Sequence, residues 1–191
     1  LAKNNFVFLF AQKYHPAMRS VAAVRKKLGR KTIFNLLGPL CNPAHPDCQL
    51  IGLFSEDYIP RYMTAIERIG IPNAKVVSSR DGLDEISISD RTTCYYKKGP
   101  SVTRFDFDPR DFGIYADREK IQGYEAGANA QIMKEVFCGC SHADLANAIA
   151  INAAFSLTLA EVETDLRQAF MLAKETMKSG RAYEKLEELA S

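Results

Sequence analysis

The 191 residues are 47% hydrophobic and 25% charged, the balance of a soluble globular chain with enough length for one sizeable α/β core. Lys plus Arg number 25 against 23 Asp plus Glu, a formal charge of +2, too even to argue for nucleic acid or an anionic membrane surface. No run approaches the ~20 apolar residues of a membrane helix, and the apolar stretch Asn4–Ala11 is short and lacks the flanks of a signal peptide.

The chain opens on Leu1 rather than Met, which reads as a processed chain, a trimmed one or a cloned fragment. Residues 3–12 read as the end of a buried helix. His15-Pro16 opens another, with Pro16 suited to a first helical position. Met18, Val21, Ala22, Val24, Arg25 and Leu28 recur at helical spacing, and Gly29 closes that helix. Thr32–Leu37 is a short apolar helix, stopped by Gly38-Pro39 and then Asn42-Pro43. Gln49–Phe54 reads as a strand. Ser55-Glu-Asp caps a helix that runs to about Ile69 and ends at Gly70, and Ala74–Ser78 is a buried strand. That strand–helix–strand rhythm is a βαβ unit with parallel strands. Asp81–Asp84 forms a turn. Thr92–Tyr96 and Val102–Phe107 make an antiparallel hairpin across Lys98-Gly99-Pro100. Helices follow at 129–137, 143–159, 164–178 and 181–189. The predicted fold is α/β: a mostly parallel sheet with an antiparallel hairpin, flanked by helices. Its first strand appears only near residue 49, so the chain reads as entering a fold midway.

Four segments could carry chemistry. Arg25 shares a helix face with Met18 and Ala22, and a guanidinium beside an apolar stripe requires an anionic partner. A planar carboxylate ligand suits the fork of an arginine, with His15 as a further donor; an acidic side chain or a solvated position remains open. Gly29–Pro43, with two X-Pro breaks, reads as a hinge, a tunnel wall or a plain loop. Asp81-Gly-Leu-Asp84-Glu85 follows a buried strand, at the carboxyl end where open α/β sheets bind ligands. Asp84 and Glu85 suit Mg²⁺, which takes one or two carboxylates and keeps several waters; a solvated acidic turn is the alternative. The Asp111-Phe-Gly113 triplet lacks every other kinase element and reads as a strand end and turn. Phosphate-loop, dinucleotide and nucleophile-elbow patterns do not occur, and no Ser or Cys flanked by turn glycines makes a credible nucleophile, which disfavours covalent catalysis. The five cysteines, Cys41, Cys48, Cys94, Cys138 and Cys140, include no Cys-x-x-Cys pair and are expected to be free, buried thiols in a reducing cytosol.

Taken in order, Tyr14-His-Pro-Ala-Met-Arg19, Val24-Arg25-Lys-Lys-Leu-Gly29, Thr32-Ile-Phe-Asn-Leu-Leu-Gly-Pro-Leu40, Asn42-Pro43, Asp81-Gly-Leu-Asp-Glu-Ile-Ser87, Asp111-Phe-Gly113 and Ala128-Asn-Ala130 resemble the anthranilate phosphoribosyltransferase family of tryptophan biosynthesis. The resemblance implies a cytoplasmic, Mg²⁺-dependent pentosyltransferase. It would move ribose 5-phosphate from phosphoribosyl diphosphate (PRPP) to the amine of anthranilate and release diphosphate. Arg25 would then grip the anthranilate carboxylate. His15 and Met18 would line the acceptor path, with Gly38-Pro39 as its wall or hinge. Asp84 and Glu85 would hold Mg²⁺ on the diphosphate. No catalytic nucleophile is implied. The resemblance makes residues 1–48 a helical segment that packs with an N-terminal helical domain, and 49–191 an incomplete α/β phosphoribosyltransferase domain. It places the donor's glycine-rich loop upstream of Leu1, so the chain is expected to be a C-terminal portion, inactive alone and a homodimer at full length. Two departures stand out: Gly29-Arg30-Lys31-Thr32 for the family's usual Gly-Ile-Arg-Thr, and Gly123-Tyr-Glu-Ala-Gly127 before Asn129.

The alternative is a non-catalytic, nucleic-acid-binding paralogue using Arg19, Arg25, Lys26, Lys27, Arg30 and Lys31, against which the near-neutral total charge argues. A pyrimidine nucleoside phosphorylase relative would share the fold, but fits the Thr32–Pro43 and Asp84-Glu85 blocks less well. No membrane partner is expected. Apolar side chains at Phe6, Phe8, Phe10, Val24 and Leu28 are expected to be under-covered and to drive self-association.

Overall fold

The computed structural model describes residues 3–15, 24, 27–29, 31–140 and 142–190, and the chain divides into two compact units, Leu1–Pro46 and Asp47–Ser191. In the first unit, residues 6–10 are irregular, and helix follows only at Ala11–Tyr14 (α1). The buried helix expected over 3–12 is therefore absent: Phe6, Val7, Phe8 and Phe10 are exposed, so no burial offsets the ordering cost of their bulky side chains. Of the helix predicted from Pro16 to Leu28, Val24, Lys27 and Leu28 are helical and Gly29 has φ 61°; most of the rest lies outside the described residues. Phe34–Leu37 (α2) runs straight into a 3₁₀ turn, Pro39–Cys41. The predicted stop at Gly38-Pro39 thus falls later, where Asn42 turns extended at ψ 116°. Gly38, with no Cβ to meet the proline ring, keeps helical φ and ψ of −49° and −56°.

The second unit is built on a four-stranded sheet in sequential order: β1 (Cys48–Gly52), β2 (Asn73–Ser79), β3 (Thr92–Lys98) and β4 (Ser101–Phe107). Between β1 and β2, Ser55 Oγ accepts from the Asp57 amide and starts a 3₁₀ turn that leads into α3 (Ile59–Ile69). Ile59, Tyr62 and Ile66, three and four residues apart, face inward and are buried. Gly70 ends α3 at φ 85°, its amide bonded to Ile66 and Glu67 carbonyls, a left-handed cap that only glycine adopts freely. This crossover makes β1 and β2 parallel, Cys48 opposite Asn73.

The expectation of a mostly parallel sheet is corrected here. β2 pairs antiparallel with β3, and β3 with β4, so the sheet is mixed, with one parallel pairing of three. The cause is the link between β2 and β3, residues 80–91. It contains no helix that could carry the chain back to the start of the sheet, so β3 must run the other way. The hairpin turn at Gly99-Pro100 lies where expected.

Helices α4 (Ala126–Phe137), α5 (Ala143–Leu159), α6 (Leu166–Lys178) and α7 (Arg181–Ala190) follow. α5 is the core helix. Its Ala150 and Ala154 and the Ala169 and Ala173 of α6 are buried in one cluster, where small side chains let helices approach closely. Phe155 of α5 meets Phe107 edge-on at 5.7 Å and Phe105 at 6.2 Å, joining sheet to helix layer. Lys75 is buried on β2. Its ammonium donates to the Phe155 carbonyl and the Thr158 hydroxyl, and desolvation holds its pKa below the ordinary lysine value. Of the five free cysteines only Cys94 is buried, and burial pushes its thiol up to about 12. Cys41, Cys138 and Cys140 are exposed, against expectation, because they sit in turns and not on the sheet.

Candidate active site: an acidic loop at the strand ends

The loop that leaves β2 is folded by Asp81. Its carboxylate accepts from the Leu83 amide at 3.1 Å, the Ser87 hydroxyl at 2.6 Å and the Ser89 hydroxyl. Burial pushes the Asp81 carboxyl up, but the Ser87, Ser89 and Ser79 hydroxyls and the Leu83 amide outweigh it and hold the group below the usual carboxylate value. The Ser79 amide donates to the Leu83 carbonyl at 3.1 Å, and Gly82 to Ser79 at 3.0 Å, closing the turn. Asn152 on α5 then grips the loop from the far side. Its Oδ1 accepts from the Ile86 amide at 3.1 Å and its Nδ2 donates to the Ile86 carbonyl at 2.9 Å. Arg118 donates to the Asp81 carbonyl.

This clamp consumes the first carboxylate of the loop and leaves the next two free. Asp84 and Glu85 are exposed, and among the described residues neither carboxylate has an ion-pair or hydrogen-bond partner. Glu85 borders a cavity of about 750 Å³ with Leu83, Arg118, Gln122, Gly123 and Asn152. Partial burial there, and then the Asp84 charge beside it, push the Glu85 carboxyl above its ordinary value. Two adjacent carboxylates, unpaired among the described residues, suit a hard divalent cation, which accepts oxygen ligands. The donor set fits Mg²⁺ completed by water and phosphate oxygens. It does not fit a metal held by protein alone, since no group of three metal-ligating side chains occurs among the described residues.

The other predicted site residues lie in the first unit. His15 is half-buried, and Gly38 and Pro39 form the helical turn described above. Met18 and Arg25 lie outside the described residues, as do Arg19, Lys26 and Arg30 of the basic run. Sequence reasoning missed Asp81, Ser87, Ser89, Arg118 and Asn152 as the frame of the site. Asn152 carried no local signal, being 66 residues from its partner on an otherwise apolar helix. The departure at Gly123–Gly127 is likewise framed: Asn129 accepts from the Tyr124 amide at 2.7 Å and donates to its carbonyl at 2.8 Å. A second cavity of about 1020 Å³ lies between α5 and α6 and contains none of the predicted site residues.

A family model described as glycosyl transferase family, a/b domain, matches residues 1–183. The chain belongs to this glycosyl transferase family. Anthranilate phosphoribosyltransferase from Lacticaseibacillus casei is 38% identical over 190 residues, 99% of this chain and 55% of that relative. The enzyme of the same name from Saccharomyces cerevisiae, solved in complex with 4-fluoroanthranilate, aligns with a TM-score of 0.87 at 30% identity, over 97% of this chain and 54% of that one. The yeast enzyme in complex with PRPP and Mg aligns at 0.86, with the same identity and coverage. The chain spans about half the length of the curated relatives it matches. The resemblance read from the sequence motifs is borne out, and the nucleic-acid-binding alternative is not favoured. No helix among the described residues is long and apolar enough to cross a membrane.

Proposed function

We propose that the protein to which this chain belongs transfers the 5-phosphoribosyl group of PRPP to the amine of anthranilate, as a cytoplasmic step of tryptophan biosynthesis. The acidic loop carries this reading: two carboxylates, unpaired among the described residues, are presented at the carboxyl end of the parallel strand pair, in a chain 38% identical to an anthranilate phosphoribosyltransferase along nearly its whole length.

The chemistry asks for little covalent help from the protein. The bond from ribose C1 to the diphosphate oxygen breaks, a bond from C1 to the anthranilate nitrogen forms, and the amine loses a proton. Positive charge grows on the ribose and negative charge on the leaving diphosphate, so positioning and charge neutralisation dominate. Asp84 and Glu85 would hold Mg²⁺ against the diphosphate, and the bound ion would supply the neutralisation. Arg25 would pair with the anthranilate carboxylate in two parallel hydrogen bonds. His15 and Met18 would line the acceptor path, and Gly38-Pro39 would form its wall. Residues 1–48 would pack with an N-terminal helical domain that also forms a homodimer, and 49–191 would supply the diphosphate-and-metal half of the donor site.

Anthranilate fluorescence tests the proposal. A form extended at its N-terminus to the length of the relatives, given PRPP and Mg²⁺, is expected to consume anthranilate, while the 191-residue chain alone leaves the signal unchanged. Replacing Asp84→Asn and Glu85→Gln together should slow the extended form about 10²–10³-fold, the loss of several kcal/mol of charge stabilisation. An extended form that never consumes anthranilate, or one indifferent to both replacements, defeats the reading.

A further inference from the structure

Gly52 is the last residue of β1, paired with Val77 in the parallel ladder. Its φ is outside the left-handed region, so any L-residue could adopt its backbone. The constraint is spatial. A Cβ on Gly52 would lie 1.6 Å from the Asp84 carbonyl oxygen, 2.4 Å from the carbonyl carbon and 3.2 Å from Cα. Those atoms are backbone, with no flexible tip to swing aside. At Gly38, Gly70, Gly82, Gly99, Gly113 and Gly127, by contrast, a Cβ would meet nothing within 4 Å.

The Asp84 main chain therefore rests directly on the main chain of β1. It cannot easily retreat. Ahead of it, Asp81 and the Ser79–Leu83 bond hold the turn; behind it, Asn152 holds both polar groups of Ile86. Carbon and oxygen rest at about 3.5 Å, so a Cβ at Gly52 must drive the Asp84 peptide away by well over 1 Å. Shifts of that size at a site's frame are costly, because ligand groups must meet an ion within a few tenths of an ångström.

We propose that Gly52 is a positioning residue for the acidic pair: the space left by its missing side chain is the seat of the Asp84 backbone, and it fixes where the Asp84 and Glu85 carboxylates meet a divalent cation on a diphosphate. The inference rests on the cation role assigned to those carboxylates above. Gly52 would act only through the Asp84 backbone, and its neighbours Ile51 and Leu53 are ordinary core residues.

The test compares Gly52→Ala with Gly70→Ala in the full chain. Gly70, at φ 85°, is strained by alanine but has open space around it, so it reports instability alone. Binding is read with Mn²⁺ and inorganic diphosphate by water-proton relaxation, alongside amide resonances of Asp84 and Glu85 and thermal unfolding. Gly52→Ala is expected to weaken Mn²⁺–diphosphate binding about 10–100-fold, as loss of an outer-shell support does, and to displace both amide resonances. Gly70→Ala should lower the melting temperature with binding intact. Equal binding by Gly52→Ala and the parent, or equal losses in both variants, overturns the inference. If the parent binds no Mn²⁺ with diphosphate, the cation reading fails, and the amide resonances decide the seat: unmoved in Gly52→Ala, they overturn it. A variant-free check uses the parent with Mg²⁺ and diphosphate. The Gly52 Hα resonance should shift together with the Asp84 amide, and a silent Gly52 beside a shifting Asp84 also overturns it.

Discussion

The two compact units differ in what their apolar residues do. In Asp47–Ser191 one face of each core helix is buried, Ile59, Tyr62 and Ile66 on α3 and Ala150, Ile151, Ala154 and Phe155 on α5, while outer positions such as Val102 and Met171 stay exposed. In Leu1–Pro46, Leu36 is the one buried hydrophobic among the described residues, while Phe8, Val24 and Ile33 are more than half exposed. The same side chains obey the same hydrophobic effect in both units. The difference is cover: the sheet offers a second layer to α5, and among the described residues of the first unit there is no comparable layer. Apolar pattern thus predicts structure only where the complementary face belongs to the same unit.

The sharpest way to break this comparison is at Phe155. Its side chain is fully buried and contacts Phe105 and Phe107 of β4. Phe155→Ala should cost about 3–5 kcal/mol of stability through lost transfer energy and an unfilled cavity. Urea unfolding measures it. A cost below about 1 kcal/mol would mean that the interlayer packing contributes little and the contrast between the units is one of exposure only.

A smaller effect is expected at Asn152, which ties the acidic loop to the same core helix. Asn152→Ala removes the partners of the Ile86 amide and carbonyl, and Ile86 is only 1% exposed. Leaving such groups unsatisfied costs about 1–3 kcal/mol. The Ile86 amide should also exchange faster with solvent than in the parent, with little change at Val76 on the neighbouring strand. Asn152→Asp keeps an acceptor for the Ile86 amide but loses the donor to its carbonyl, so it should fall between the two. Uniform exchange rates in all three proteins would show that the loop is held by Asp81 alone.

Much of the second unit is legible in the sequence because its signals are local. The Ala143–Leu159 helix is bounded as its pattern predicts, and Gly70 marks the end of α3 before any contact is known. The direction of β3 is not written in β3 itself. It follows from the short, helix-free link of residues 80–91, a constraint weaker to the eye than a βαβ rhythm. In the acidic loop the sequence singles out Asp84 and Glu85, but no local pattern shows what Asp81 does. Only the fold shows that Asp81 is committed to Ser87, Ser89 and Leu83 while Asp84 and Glu85 are not. Asn152 acts from the helix layer and Gly52 from the adjacent strand, so no window of neighbouring residues could reveal either. In the first unit the apolar run over Phe6–Phe10 has the composition of buried structure. It misleads because composition reports the wish for cover and not its presence.

The smallest expected effect on stability is the most telling for the first unit. Phe8 is 76% exposed and Phe10 42%, and their rings stack on each other at 6.3 Å. Replacing both, Phe8→Ser with Phe10→Ser, removes apolar surface that is already in water, so unfolding should change by no more than about 0.5 kcal/mol. Association should respond far more. Contiguous exposed apolar surface drives contact between copies, and the parent chain is expected to self-associate as its concentration rises. The double variant should stay closer to monomeric under the same conditions. Sedimentation velocity over a range of concentrations separates the two. A parent that remains monomeric at its highest concentration would show that these side chains are tolerated in solvent. A variant that unfolds easily would show instead that Phe8 and Phe10 support structure within their own unit.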